Sequence, residues 1–186
     1  MPIEANYMGM ALEIGDEDSE NRTYFRYCAQ GRYHLQRCAA CKLLRYPPGP
    51  SCYWCGSPDS HWDPVAPVGT VHSYTEVHHA IQPGFRAHTP YAVLIVDLDE
   101  QRGRPTGHEA LRVVGNLVGP DGALADRDLL RQVGIGSAVA MTFTQLTPDI
   151  AIPNWTLRVP DGRAPWRARV DAAGVAPPHS PDEPIP

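Results

Sequence analysis

The fold of this chain is decided by residues 38–55, which read CAACKLLRYPPGPSCYWC. Two Cys-x-x-Cys units stand ten residues apart in this stretch, and Pro47–Pro50 supplies a turn between them. The two-residue gap lets both sulfurs of a tight turn point at one ion about 2.3 Å away, and two such turns complete a tetrahedron. The stretch therefore predicts one zinc ion with four ligands, Cys38, Cys41, Cys52 and Cys55.

The predicted zinc is structural rather than catalytic, because protein sulfurs fill all four positions and leave none for water or substrate. Metal binding can supply folding free energy on the order of 10 kcal/mol, which so short a segment cannot obtain from packing. Gly56 follows the second unit, where a positive φ would let backbone amides approach the thiolates. Two disulfides or free thiols are the alternative at these positions. The fifth cysteine, Cys28, is expected to be a buried core thiol.

The composition of the 186 residues indicates a folded protein, since 42% are hydrophobic and 20% charged. No stretch approaches the twenty or so consecutive apolar residues of a membrane span. The first residues lack the basic start and apolar run of a signal peptide. We therefore expect a soluble, cytoplasmic protein with no membrane association, in which reduced thiols favour a metal over disulfides.

The charge pattern argues against two classes of function. The formal net charge is −5, and four thiolates around one divalent ion would make it more negative still. Such a chain repels a phosphate backbone unless its basic residues are strongly segregated, so nucleic acid is disfavoured as a partner. Lys42 is the only lysine in the sequence, which removes almost every candidate for Schiff-base chemistry.

The N-terminal third is predicted to hold three segments. Residues 1–18 are polar and end in an acidic run, so we expect a flexible arm. Residues 19–31 are predicted to form a helix that is capped by Ser19 and ends at Gly31. The zinc ribbon follows over residues 32–63.

Residues 64–159 have the strand order of an OB-fold. The predicted strands are Gly69–His78, Tyr91–Leu98, Leu111–Val118, Ala138–Leu146 and Ile152–Val159. A short helix over Asp126–Val133 separates the third strand from the fourth. Five strands in this order predict a Greek-key barrel of the OB type. The Pro-rich tail over residues 160–186 cannot form a core and is expected to be largely disordered. The predicted fold class is thus mainly β, with an N-terminal helix, a zinc ribbon and a five-stranded barrel.

The sequence resembles a zinc-ribbon/OB-fold family known as a domain of unknown function. The resemblance spans roughly residues 24–159 and is carried by a long ordered string of residues. They are Tyr24-Phe25, Gly31, Arg37-Cys38, Cys41, Arg45 to Pro48, Cys52, Cys55, Trp62, Gly69 to Val71, Ser73 to His78, Pro83, Phe85, Pro90-Tyr91, Val96 to Asp99, Gly115 to Val118, Ile135-Gly136 and Ile152-Pro153.

The resemblance implies an N-terminal helix, a rubredoxin-like zinc ribbon and an OB barrel. It also implies a non-catalytic subunit of a hetero-oligomeric complex that makes or breaks carbon–carbon bonds in CoA thioesters. Members of this family accompany thiolases, hydroxymethylglutaryl-CoA synthesis, acyl transfer and aldolases that shorten steroid side chains. Three features depart from the family pattern: Lys42 stands where a glycine is common, residues 101–110 lengthen a connection, and residues 160–186 extend past the barrel.

Four residues are candidates for contact with a thiolase-like partner or with acyl-CoA at the interface. Tyr24 and Phe25 lie on an aromatic side of the predicted helix, which needs a surface to pack against. The loop over residues 79–89 is long for a connection between strands, and Phe85 in it would be exposed unless something covers it. Arg86 could meet a phosphate of CoA or an acidic partner residue. The alternative is that this segment is an irregular surface loop without a binding role.

Two other functions are alternatives to an accessory subunit. An enzyme acting on its own is one, but the sequence has no nucleophile elbow, phosphate-cradling glycine loop or dinucleotide fingerprint, and we assign no catalytic residue. Asp97 and Asp99 could be paired acids, although a solvated strand end explains them better. Single-stranded nucleic-acid binding by an OB-fold is the other, and it would need a cationic groove with interleaved aromatic residues.

Overall fold

The structure is a computed structural model, and it describes residues 1–158. The predicted tail over residues 160–186 lies outside the described residues. Ten strands and two α-helices follow one another in this part of the chain: β1 (Ile3–Tyr7), β2 (Met10–Ile14), α1 (Ser19–Ala29), β3 (His34–Cys38), β4 (Leu44–Arg45), β5 (Ser60–Pro64), β6 (Val68–Val77), β7 (Tyr91–Leu98), β8 (Arg112–Asn116), α2 (Arg127–Leu130), β9 (Ala138–Thr147) and β10 (Ile150–Leu157). Short 3₁₀ helices cover Pro83–His88 and Asp99–Gln101.

The strands β6 to β10 form the predicted OB barrel. They make one sheet in the order β10-β9-β6-β7-β8, with every neighbouring pair antiparallel. The sheet closes where Leu117 and Trp155 form a parallel bridge and the amide of Val118 donates to the carbonyl of Trp155 at 2.8 Å. The fully buried Trp155 fills the interior. A Cβ at Gly115 would lie 2.9 Å from the Trp155 ring, so this glycine permits the close approach. The mainly β fold with an OB-fold domain is confirmed.

The zinc-ribbon segment forms a separate three-stranded sheet in the order β4-β3-β5. Strand β3 is central and pairs antiparallel with both neighbours. Helix α1 packs against β10 of the barrel and also against β3 of the ribbon. The helix therefore stands between the two sheets and joins their cores.

The first residues are ordered, which corrects the prediction of a flexible arm over residues 1–18. Strands β1 and β2 pair as an antiparallel hairpin that turns at Met8 and Gly9. The Tyr7 ring packs edge-on against Phe85, with 5.8 Å between ring centroids. A Cβ at Gly84 would lie 2.3 Å from the carbonyl oxygen of Met8, so the hairpin turn rests on this glycine. Contacts with distant segments, among them β9 and the loop near residue 85, hold the hairpin in place rather than a local apolar pattern.

Both predicted helices exist, with corrections at their ends. Helix α1 spans Ser19–Ala29, but Asp18 caps it in place of Ser19, because its carboxylate accepts from the Asn21 amide at 3.1 Å. Gly31 has a φ of +68°, as a helix stop requires. Helix α2 is shorter than predicted and is one turn long. Neither helix of residues 1–158 is long and apolar enough to cross a membrane.

Candidate metal centre and partner surface

The four cysteines of the two Cys-x-x-Cys units converge on one point. Their sulfur atoms all lie within 4.8 Å of one another. The Sγ atoms of Cys38 and Cys55 are 3.6 Å apart, and those of Cys41 and Cys52 are also 3.6 Å apart. A tetrahedral ion with bonds of about 2.3 Å to sulfur places its ligands about 3.8 Å from each other. The four cysteines therefore have the spacing of a tetrathiolate metal site.

Backbone amides point at the sulfurs, as a site for thiolates requires. The Cys38 sulfur accepts from the amides of Cys41 and Ala40, and the first of these hydrogen bonds lowers the pKa of the Cys38 thiol to about 5. Burial instead raises the pKa of the Cys41 thiol to about 12. Thiols whose pKa values differ in this way can all be thiolates at neutral pH only when a bound cation offsets the repulsion between their negative charges. The donor set thus fits a divalent metal with a preference for sulfur.

The residue after each Cys-x-x-Cys unit has a left-handed backbone. Lys42 has a φ of +65° and Gly56 a φ of +77°. Their amides donate to the carbonyls of Cys38 and Cys52, at 3.1 and 2.8 Å respectively. The two turns are therefore copies of one geometry. A glycine would adopt the backbone of position 42 without strain, whereas this chain has lysine there.

A buried arginine, to which no role was assigned from the sequence, joins three segments of the ribbon. Arg45 is fully buried. Its guanidinium donates to the carbonyl of Gly49, before the second unit, and to three carbonyls after it, those of Ser57, Pro58 and Asp59, at 2.9–3.2 Å. A planar group with five donors suits such a cluster of carbonyls. The one available signal was a lone arginine next to the Pro-rich turn.

The aromatic side of α1 faces the chain's own ribbon, which corrects the prediction that Tyr24 is a partner contact. Tyr24 is 3% exposed, and its ring lies 6.2 Å from the rings of both Tyr33 and Tyr46. Tyr27 stacks on His34 with 4.0 Å between ring centroids. Phe25 is half-buried against the same core. The surface that these aromatic residues need is supplied inside the molecule.

The candidate residues of the 79–89 loop lie nearer to solvent. Phe85 is half-buried between Tyr7 and Tyr91, with ring centroids at 5.8 and 4.9 Å. Arg86 is exposed, and its guanidinium lies 3.5 Å from the carbonyl oxygen of Ile81. The hairpin thus covers one side of Phe85, while Arg86 remains open to a ligand or partner.

Two further observations concern residues near the barrel and ribbon surfaces. Asp97 accepts from Arg112 at 3.1 Å and lies 3.2 Å from His72, whereas Asp99 pairs with Arg102 at 2.7 Å. The two aspartates therefore have separate cationic partners and do not form an acid pair. In the second Cys-x-x-Cys unit, Tyr53 is 58% exposed, an aromatic surface that sequence reasoning did not assign.

Comparison with known proteins then decides the family. A solved structure described as "Ltp2-ChsH2(DUF35) aldolase" contains a chain 34% identical to this one, with a TM-score of 0.59, and the match covers 78% of this chain and 100% of that chain. This chain belongs to the DUF35 family. The family model described as "ChsH2, C-terminal OB-fold domain" matches residues 62–144 of this DUF35 protein. The family resemblance stated from the sequence is confirmed.

A curated relative is also similar to this DUF35 chain. It is a "Probable enoyl-CoA hydratase alpha subunit" from Thermomonospora curvata, 38% identical over 145 residues. The match covers 76% of this chain and 38% of the relative, so the chain spans about two fifths of that protein's length.

Proposed function

We propose that this DUF35 chain is a non-catalytic accessory subunit that binds a thiolase-like enzyme, a thiolase or an aldolase. In this complex it helps the enzyme to make or break a carbon–carbon bond in an acyl-CoA substrate. The observation that carries the proposal is the match to the DUF35 chain in a structure described as an aldolase. The two chains are 34% identical, and the match covers the whole length of the chain in that structure. The curated relative named as an enoyl-CoA hydratase subunit supports CoA thioesters as the substrate class.

We propose further that the metal is a structural zinc ion held by Cys38, Cys41, Cys52 and Cys55. The four converging sulfurs and the amides aimed at them support this assignment. Four thiolates would complete the tetrahedral shell, so zinc would supply stability to the ribbon and would not touch the substrate. Thiolates persist where the compartment is reducing, which supports a cytoplasmic location.

Contact with the partner is proposed for the exposed side of the 79–89 loop and of α1. Phe85 and Phe25 are half-buried and keep aromatic surface toward solvent. Arg86 beside Phe85 is exposed and suits a carboxylate of the partner or a phosphate of acyl-CoA at the interface. Half-buried aromatic residues flanked by arginine have the composition of interface anchors.

Nucleic-acid binding is the alternative that an OB-fold raises. OB barrels bind oligonucleotides on the second and third strands and the loop between the first two. Here the hairpin of residues 3–14 packs on that loop through the contact of Tyr7 with Phe85. The net charge of −5 also opposes a polyanion. Both observations favour the accessory-subunit proposal.

The deciding experiment is co-purification of the tagged full chain from its native host, followed by identification of the bound proteins. The expected result is a thiolase-like enzyme in stoichiometric amount. The chain alone should show no turnover of β-ketoacyl- or β-hydroxyacyl-CoA, whereas the reconstituted complex should. Turnover by the chain alone, or retention of single-stranded nucleic acid in place of an enzyme, would refute the proposal.

A further inference from the structure

A groove of about 200 Å³ lies between the end of β6 and helix α2, away from the cysteine cluster. It is lined by Glu76, His78, Pro90, Arg127, Leu130 and Arg131. Leu130 is 3% exposed and anchors the helix in the core. The groove thus brings two arginines and a histidine together with the carboxylate of Glu76 and the apolar ring of Pro90.

The two arginines converge because of their spacing on the helix. Arg127 and Arg131 are four residues apart, so both side chains project from the same side of α2. Arg131 pairs with Asp128 at 3.0 Å, but both side chains are more than 70% exposed, and such a pair is worth little in water. Among residues 1–158 no ion pair of Arg127 is found. Both guanidinium groups are therefore available to an anion.

The stretch of sequence between the strands β6 and β7 that border the groove is poor in acidic residues. No acidic residue occurs between Glu76 and Asp97, whereas Arg86 and three histidines do. Glu76 itself lies 3.6 Å from the imidazole of His78. A second groove on another side of α2, of about 460 Å³, is lined by three aspartates, Asp121, Asp126 and Asp128. The two arginines of this short helix therefore line one groove and its aspartates line the other, although Arg131 and Asp128 also pair with each other.

We infer that the groove between β6 and α2 binds the phosphate groups of the acyl-CoA substrate. This rests on the proposed function, which supplies CoA as the ligand class. Arg127 and Arg131 donate their N–H groups to phosphate oxygens, for which a planar guanidinium is well shaped. Pro90 offers apolar surface to the attached nucleoside.

Titration calorimetry of the full chain with adenosine 3′,5′-bisphosphate, CoA and dephospho-CoA tests this inference. Arg127→Gln and Arg131→Gln are expected each to weaken binding of the bisphosphate by about tenfold, the value of one charge-assisted hydrogen bond. Arg102→Gln is the matched control, because Arg102 is an exposed, ion-paired arginine beyond the opposite end of β7 and should change nothing. Comparing CoA with dephospho-CoA separates the 3′-phosphate from the diphosphate.

Equal binding by the parent chain and Arg127→Gln would overturn the inference, as would no binding at millimolar bisphosphate. Tighter binding of a single-stranded oligonucleotide than of CoA would also overturn it. Capture of the partner enzyme is measured in parallel with Arg127→Gln and should be unchanged. If the parent chain captures the enzyme but does not bind CoA, only the inference about the groove is refuted. If the parent chain captures no enzyme, the proposed function is refuted.

Discussion

The side-chain oxygen of Gln101 accepts a hydrogen bond from the backbone amide of Leu44 at 2.6 Å, across 57 residues of chain. Gln101 is 2% exposed and begins the lengthened connection between β7 and β8. Leu44 lies in β4, between the two Cys-x-x-Cys units. The beginning of the connection between β7 and β8 is thus fastened to the ribbon. This bond links the barrel to the segment between the two Cys-x-x-Cys units.

Gln101→Leu should destabilise the protein by about 1–3 kcal/mol, because it leaves the buried Leu44 amide without an acceptor. Glu100→Gln is the control, since it weakens only the partly exposed ion pair with Arg37 and should cost less than about 1 kcal/mol. Urea unfolding of both variants measures the difference. Equal stability of the two would show that the Gln101 bond does not couple ribbon and barrel.

Removal of the metal should unfold the ribbon. We expect about one zinc per chain by elemental analysis, and Cys38→Ser or Cys55→Ser should abolish it, because a hydroxyl does not replace a thiolate. Cys28→Ser is the control, since Cys28 lies outside the cluster and should leave zinc content unchanged. A metal-free Cys38→Ser protein with a native melting transition would contradict a structural role.

The residues after the two Cys-x-x-Cys units both have a left-handed backbone, so introducing a glycine at one and removing the glycine at the other should change stability in opposite directions. Lys42→Gly should stabilise the protein by up to about 1 kcal/mol, because it relieves the positive φ. Gly56→Ala should destabilise it by about 1–2 kcal/mol, and a Cβ there has no atom within 4 Å, so the effect is purely one of the backbone. Thermal unfolding with zinc in excess measures the stability of both variants. If their midpoint temperatures shift in the same direction relative to the parent chain, this explanation is wrong.

Local patterns predicted most of the barrel. Strand β7 has the predicted bounds Tyr91–Leu98, because the nearly continuous apolar run that marks it is a property of its own residues. The cysteine cluster was equally accessible, since ligand spacing is local. The hairpin over residues 3–14 was not, because it packs on segments far along the chain, among them β9 and Phe85.

Burial of aromatic residues also depends on contacts that one segment does not reveal. The helix pattern placed Tyr24 on a surface that needs a partner, which is correct, but the partner is the ribbon's Tyr33 and Tyr46. Arg45 escaped assignment because the carbonyls that it binds come together only in the folded ribbon. Sequence reasoning recognised the need for a surface but could not decide between an internal and an external one.

Alkaline pH should destabilise the protein through Cys28. Burial raises the pKa of this thiol from 9.0 to about 12. Below pH 9 the thiol is protonated in both states, so its full contribution is present. Between about pH 9 and 12 the unfolded chain loses this proton first, and stability falls by up to about 1.4 kcal/mol per pH unit. Burial raises the pKa values of Tyr24 and Tyr33 as well, which adds to the loss at the upper end.

Cys28→Ala isolates the thiol's share of this effect. Urea midpoints at pH 7 and pH 10 should differ less in the variant than in the parent chain, because alanine carries no proton to lose. The comparison is made within each protein, so the packing cost of the substitution cancels. An unchanged difference between the two pH values would rule out Cys28 as the source.

The last prediction separates the core aromatic residues from those proposed to meet the partner. Tyr24→Ala should cost about 3–5 kcal/mol of stability, because it empties a site in the core. Phe85→Ala should leave zinc content and the circular dichroism spectrum intact and should weaken capture of the enzyme by about 2 kcal/mol, near thirtyfold in Kd. Arg86→Ala should weaken either capture or CoA affinity, according to whether it meets a carboxylate or a phosphate. Arg102→Ala, on the lengthened connection, should alter neither. If Phe85→Ala captures the enzyme as tightly as the parent chain, Phe85 serves only to pack against Tyr7 of the N-terminal hairpin. The partner then binds another face of the protein. The exposed Tyr53 of the second Cys-x-x-Cys unit is the next residue to test.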